Sequence, residues 1–310
     1  MASTTSAKHS AGVGASSAPF NPDQMPTFDP SPINPNPLRK DKYVASAGCI
    51  IIGDEVLNGK TKDSNSNYFA KWCFNLGIDL KRVEVIPDDE DDIVETARRM
   101  ASKYDLVISS GGIGPTPDDI TYQSMAKAFS DGKLEHHQET LRRMELNLKA
   151  RRRDVSGTEE MMTARKRMAL FPVSTSNSSV EVIFPTTQLW VPVVRLSGKV
   201  CILPGVPRLF EGLLDGLEKY VPIDPNRPRP YRLLVHTKWP ESNISPFLVE
   251  LTEKCKKEGI KVGSYPKWNS GVDVSLIGED LARLQELGSE VEKAVEGKIT
   301  TAGKIGEESN

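Results

Sequence analysis

The sequence predicts an α/β fold: a mostly parallel sheet with helices on both faces, followed by a small α+β domain. Three observations carry that expectation. From Tyr43 to Phe129, short apolar runs alternate with segments of helical apolar spacing, joined by short links. The proline-rich stretch Asp224 to Pro230 then interrupts the pattern. Beyond it a second, shorter series of strands and helices begins.

Taken in order, Val44 to Ile52 reads as a buried strand running into Gly53. Tyr68, Phe69, Trp72 and Leu76 give Asn65 to Leu76 a helical apolar face, and Gly77 suits its C-terminal cap. Leu80 to Ile86 is a second strand. The acidic run Asp88 to Asp92 then opens a helix through Met100, where negative charge favours a helix start. Leu106 to Ser110 is a third buried strand, and a helix is expected from Thr121 to Phe129. Residues 135–168 read as helical, with nine basic residues between Arg142 and Arg167 against four acidic ones. His136 and His137 are expected as solvated residues of that helix. Short strands follow over 181–203, then a helix from Arg208 to Tyr220. The small domain is expected to comprise a strand (Arg232 to His236), a helix (Ser242 to Lys257), two strands (Ile260 to Ser264, Val272 to Ile277) and a helix (Asp280 to Val295).

The domains expected are therefore 41–223 and 224–297, with 298–310 frayed. Residues 1–40 hold seven of the chain's 22 prolines, six serines and no apolar periodicity, so a disordered, dispensable tail is expected. With no arginine before Arg39, with Asp23 and Asp29, and with no secretory apolar core, it does not read as a leader, and the cytoplasm is the expected location.

Composition excludes several classes. The formal net charge is -2 and the pI about 6.2, unlike a general nucleic-acid binder. Arg151, Arg152 and Arg153 lack interleaved aromatics, and the small domain has no helix–GxxG–helix clamp, so no nucleic-acid partner is expected. No apolar run approaches the roughly 20 residues of a membrane helix. Cys49, Cys73, Cys201 and Cys255 show no CxxC pairing and read as small buried hydrophobes.

Two polar loops directly follow buried strands. The first runs Gly53-Asp54-Glu55 to Asp63-Ser64-Asn65, and the second is Gly111-Gly112-Ile113-Gly114-Pro115-Thr116-Pro117-Asp118-Asp119-Ile120-Thr121. In an open parallel sheet both would lie outside the carboxyl ends of the strands, where ligands bind. The glycines let backbone N–H groups approach an anion, and the helix opening at Thr121 adds a positive dipole end. Carboxylates from Asp54 and Asp119 beside a phosphate call for a divalent cation such as Mg²⁺ or Mn²⁺ between them. The plainer alternative is that these aspartates only cap turns and helices. Neither loop is a Rossmann fingerprint or a P-loop.

The GDE loop with its DSN, the GGIGPTPDDIT loop, Ala164 to Pro172 (ARKRMALFP) and the later LPGVP (Leu203 to Pro207) together resemble the MoCF-type molybdopterin-binding domain family. The likeness covers about residues 44–221 and is nearest to the amino-terminal region of CinA and the corresponding domain of eukaryotic FAD synthases. The small domain is similar to the one that follows MoCF in CinA. This resemblance implies a MoaB-like fold and hydrolysis of a nucleotide pyrophosphate, FAD to FMN and AMP or an ADP-ribose-like substrate. It implies a divalent metal (Mg²⁺, Mn²⁺ or Co²⁺) with K⁺ assisting, and homo-oligomers. Alternatives are molybdopterin binding or adenylylation, and a non-catalytic nucleotide- or pterin-binding module. Carried over motif by motif, Asp54 and Asp119 are the metal and catalytic carboxylates, with Asp118 supporting. Gly53, Glu55, Asn65, Gly111, Gly112, Gly114, Thr116, Thr121, Pro204 and Gly205 are the substrate-binding candidates. These residues include neither the amidase segment of CinA nor the SGGxDS-type ATP loop of FAD synthases, so FAD synthesis is not expected of them.

Overall fold

The computed structural model describes residues 25–151 and 157–304. Arg152 and Arg153 of the basic run, and the first 24 residues of the expected tail, lie outside the described residues. In chain order the larger domain contains β1 (Ser46–Ile52), α1 (Asp54–Leu57), α2 (Asn65–Asn75), β2 (Asp79–Ile86), α3 (Glu90–Lys103), β3 (Leu106–Ser110) and α4 (Thr121–Phe129). It continues through β4 (Leu134–His136), α5 (Gln138–Ala150), α6 (Glu159–Arg167), β5 (Leu170–Pro172), β6 (Val180–Ile183), β7 (Val193–Leu196), β8 (Val200–Leu203) and α7 (Pro207–Leu217).

Its six-stranded sheet has the order β2-β1-β3-β8-β7-β6. The pairs β1·β2, β1·β3 and β3·β8 are parallel, while β7 and β6 are added antiparallel. Side-chain alternation explains why such apolar strands are buried on both faces. Cys49 and Ile51 of β1 face the core built with Phe69 and Trp72 of α2 and Phe210 and Leu214 of α7. Ile50 and Ile52 face the opposite core, with Ile93 and Met100 of α3 and Met125 of α4. From β1 the chain moves outward to β2 and then returns to the other side of β1 as β3. The order therefore reverses between β1 and β3, and a crevice opens at the carboxyl ends of these strands.

The smaller domain is a four-stranded antiparallel sheet, β10-β11-β9-β12, covered by two helices. Its elements are β9 (Tyr231–Thr237), α8 (Glu241–Lys256), β10 (Lys261–Lys267), β11 (Gly271–Gly278), α9 (Leu281–Ala294) and β12 (Lys298–Gly303). Its core is separate, built on Leu233, Val235, Val274, Leu276, Leu284 and Leu287.

Three expectations are corrected. Residues 298–303 are not frayed but form β12, paired antiparallel with β9. Residues 25–40, assigned to the disordered tail, include a segment bonded to the domain. The Phe28 N–H donates to Thr187 O at 2.8 Å, the Ser31 N–H donates to Phe184 O at 2.9 Å, and the Phe28 and Leu38 side chains are buried. Backbone pairing holds this segment, which composition and apolar periodicity do not register. Residues 135–168 are not one helical stretch. Strand β4 pairs with β5, His136 lies exposed in β4, and His137 caps α5 by accepting from the Thr140 N–H at 3.3 Å. Among the described residues no helix is long and apolar enough to cross a membrane.

Candidate functional site

The two strand-end loops and the turn after β8 enclose a cavity of about 450 Å³, within the usual range for small-molecule sites. Gly111, Gly112, Ile113, Gly114 and Pro115 form one wall, and Pro204, Gly205 and Val206 another. Glu55 and Asp119 bring carboxylates to it, and Trp190, Val191, Met168 and Leu209 close the rest. Larger hollows of about 540 and 740 Å³ lie along Asp215 to Arg229 and around His236, away from both loops.

The glycines are dictated by contact. At Gly111, φ is 115° and a Cβ would lie 2.0 Å from Ile52 O, so the loop crosses β1 with no room for a side chain. At Gly112, φ is 62° and a Cβ would meet Thr121 Oγ1 at 2.3 Å. The Thr121 hydroxyl donates to Gly111 O at 2.9 Å, and its N–H donates to Gly112 O at 3.0 Å. Thr121 is fully buried and braces the loop from behind rather than lining the cavity. Asn65 acts similarly. Its Nδ2 donates to Ser110 Oγ and to Gly205 O, both at 2.9 Å, tying α2 to the ends of β3 and β8. Helices α4 and α7 both start without a side-chain cap, so no capping side chain screens their positive ends, although the Thr121 and Leu209 N–H groups already donate to Gly112 O and Val206 O.

The carboxylates divide by environment. Asp119 Oδ2 accepts from the Thr116 N–H at 2.8 Å and from the Thr116 hydroxyl, which closes the GPTPDD turn. Thr116 is exposed and serves that turn rather than the cavity wall. Asp118 is exposed as well, and the Thr116 hydroxyl holds its carboxyl below the usual range. Gly53 ends β1, and its N–H donates to Ile86 O at 3.1 Å. Asp54 is exposed at the start of the single-turn α1, and Glu55 rather than Asp54 lines the cavity beside Asp119. The Asp54 N–H donates to Asp88 Oδ2 at 3.1 Å.

Asp88 and Trp190 are the residues that sequence reasoning missed. Asp88 reads as helix-start charge, but Asp89 is the cap of α3, accepting from the Asp91 and Asp92 N–H groups at 2.9 and 3.1 Å. Asp88 is thereby released to the loops. Burial pushes its carboxyl above the usual range, the Asp54 N–H opposes this, and the charges of Glu55, Asp54 and Asp118 add to it. For Trp190 the only signal was an aromatic in the loop between two short strands.

Carboxylates such as Glu55 and Asp119 are the donors this rim would offer a divalent cation. Among the described residues no three His, Cys, Asp or Glu side chains form a preformed metal cage. What the loops provide is a set of carboxylates, Glu55, Asp54 and Asp118, whose charges add to the burial that raises Asp88. That donor set suits a hard ion held by one or two carboxylates and completed by substrate oxygens and water, as Mg²⁺ commonly is.

Comparison with known proteins agrees with the loops. The family model described as "Probable molybdopterin binding domain" matches residues 48–223. A protein named "Probable FAD synthase" from Caenorhabditis elegans is 31% identical over 230 residues, covering 72% of this chain and 44% of its own length. This chain thus spans under half of that relative. A protein from Pyrobaculum calidifontis is 30% identical over 259 residues, 82% of this chain and 93% of its own. The solved structure of a CinA protein from Thermoplasma acidophilum is 31% identical and covers 57% of this chain and 97% of its own, with a TM-score of 0.47. With its glycine loop, its strand order and a family match across more than half its length, this chain belongs to the molybdopterin-binding (MoCF) domain family.

Proposed function

We propose that the crevice hydrolyses a nucleotide pyrophosphate with the help of a divalent cation, with FAD cleaved to FMN and AMP as the leading reaction and ADP-ribose-like compounds as the same class. The observation that carries the reading is one cavity with a glycine loop on one wall and the carboxylates of Glu55 and Asp119 beside it. A binder of anions gains nothing from carboxylates there unless a cation comes with the ligand. The name of the worm relative, "Probable FAD synthase", points to the same class of compound.

In this reading the backbone of Gly112 to Gly114 and the positive ends of α4 and α7 orient the pyrophosphate. Asp119 with Asp54 or Glu55 would hold a divalent cation, which when bound would neutralise the phosphate oxygens. A rim carboxylate takes the proton of the attacking water as its oxygen bonds to one phosphorus. The bridging P–O bond breaks, and its electrons leave with the second phosphate as a mononucleotide. Asp118 and Asp88 keep the rim negative, so cation and substrate bind together.

A panel of FAD, ADP-ribose, NAD and CoA, each with Mg²⁺, Mn²⁺ or Co²⁺ and with K⁺ or Na⁺, tests the proposal by released mononucleotides. FMN and AMP from FAD are expected. No mononucleotide from any pair would overturn it. A second reading, molybdopterin binding or adenylylation, is favoured by the description of the matching family. Pterin binding by a chain that releases no mononucleotide would support that reading instead.

A further inference from the structure

We infer that Trp190 is the stacking wall for the planar ring of the ligand, and that the segment Phe28 to Ser31 positions it. The inference rests on reading the crevice as a nucleotide or pterin site and adds how the ring, as distinct from the phosphates, is recognised.

Trp190 is the aromatic residue in a cavity wall otherwise formed by glycine, proline, aliphatic side chains, Met168 and two carboxylates. A partly buried indole lining a ligand cavity is a side chain on which any flat heterocycle can stack, whatever its hydrogen-bond pattern. The glycine backbone elsewhere in the lining suits phosphate, so in this inference Trp190 takes the ring and the glycine loop the anion.

Trp190 lies in the nine-residue connection between β6 and β7, residues 184–192, which has no regular structure of its own. Its position depends on what grips that connection, and three elements do. On one side, the Phe28 N–H donates to Thr187 O at 2.8 Å and the Ser31 N–H to Phe184 O at 2.9 Å. The Phe184 N–H returns a bond to Ser31 Oγ at 2.9 Å. Arg143 then locks both partners together. Its guanidinium lies 3.8 Å from the Phe184 ring centroid and 5.0 Å from that of Phe28, and Nη2 donates to Asp29 O at 2.8 Å. On the other side, α7 lets the connection lie against its backbone at Gly216, where a Cβ would stand 2.7 Å from Thr186 Cγ2 and 2.9 Å from Pro185 O. The amino-terminal segment is therefore a clasp on the loop that carries the ring wall, and Phe28 and Ser31 are positioning residues.

The test compares a ligand with a ring and a ligand without one, using the full chain. Binding of AMP and of inorganic pyrophosphate is measured by calorimetry for wild type, Trp190→Ala, Trp190→Phe, Phe28→Ala and Ser31→Ala, with folding checked by circular dichroism. Trp190→Ala is expected to weaken AMP about tenfold or more, the usual loss of a base–aromatic stack, and to leave pyrophosphate within about twofold. Trp190→Phe should recover AMP binding to within about threefold. Phe28→Ala and Ser31→Ala should weaken AMP by roughly threefold and spare pyrophosphate, a split that general destabilisation would not produce. Equal losses for both ligands, or none in Trp190→Ala, would overturn the stacking role. A folded Phe28→Ala and Ser31→Ala with wild-type AMP affinity would overturn the clasp. AMP binding that depends on Trp190 in a chain that hydrolyses nothing would leave this inference standing while removing the hydrolase reading. Failure of wild type to bind AMP would remove this inference as well.

Discussion

Gly112 has no room for a methyl group, because a Cβ there meets Thr121 Oγ1 at 2.3 Å and φ is 62°. Gly112→Ala is expected to cost about 1–3 kcal/mol of stability and to weaken any anion held by the loop. Urea unfolding and pyrophosphate binding check it, and wild-type values for both would show that the loop yields. Asp88 makes a different prediction. Its carboxyl is raised by burial and by neighbouring charge, so its ionised form opposes folding. Such a contribution favours the fold below the unfolded carboxyl range and is lost as pH rises through the folded value. Asp88→Asn, which can still accept from the Asp54 N–H, should therefore melt slightly higher than wild type at pH 7. The difference should vanish below about pH 3.8, where Asp88 is itself neutral. A destabilised Asn variant at pH 7 would contradict this. The glycine loop and its carboxylates were legible in the sequence because they follow apolar strands directly. The division of labour was not. Asn65, Thr116 and Thr121 look like ligand groups by residue type, yet Asn65 Nδ2 and the two threonine hydroxyls are engaged with Ser110, Asp119 and Gly111, which leaves Asn65 Oδ1 as the buried polar atom of the three without a partner.

At the scale of elements, strands with continuous apolar runs were readable and short or edge strands were not. Strand β3 and helix α4 fall where apolar burial and helical spacing place them. Strands β4 and β5 have only three residues each, too few for a period to show, and they hold by pairing with one another. Strand β12 (KITTAG) is mostly polar and glycine-ended, so nothing local marks it, but β9 supplies its hydrogen bonds. Ile299 from this strand packs against the small domain's core. Truncation after Gly297 should therefore lower the melting temperature of the small domain by roughly 5 °C or more. Unchanged melting would mean that β12 contributes no stability. The amino-terminal segment teaches the same lesson. Proline and serine speak against a core, but not against a strap whose backbone bonds to a loop.

For the whole molecule, burial and redox chemistry agree. All four cysteines are buried and unpaired, and burial pushes the thiols of Cys49, Cys73 and Cys201 upward, that of Cys201 to about 12. The folded chain should show almost no reaction with a thiol-specific reagent, and four equivalents after denaturation. Rapid labelling of the native chain would place a cysteine at the surface. The two domains have separate cores, and the crevice belongs to the first, where the strand order reverses between β1 and β3. Its chemistry turns on whether Asp119 acts through its charge or only closes the turn with Thr116. The Asp119→Asn side chain can keep accepting from the Thr116 N–H while losing the charge, so the substitution separates the two roles. The decisive measurement is the FMN released from FAD per minute, with Mg²⁺, Mn²⁺ or Co²⁺, by wild type and by Asp119→Asn at equal folding. Steady release by wild type, cut at least roughly a hundredfold in the variant, is expected of a carboxylate that holds a cation against the pyrophosphate. Release within a few-fold of wild type in Asp119→Asn, or none from wild type with any of the three metals, would contradict that role.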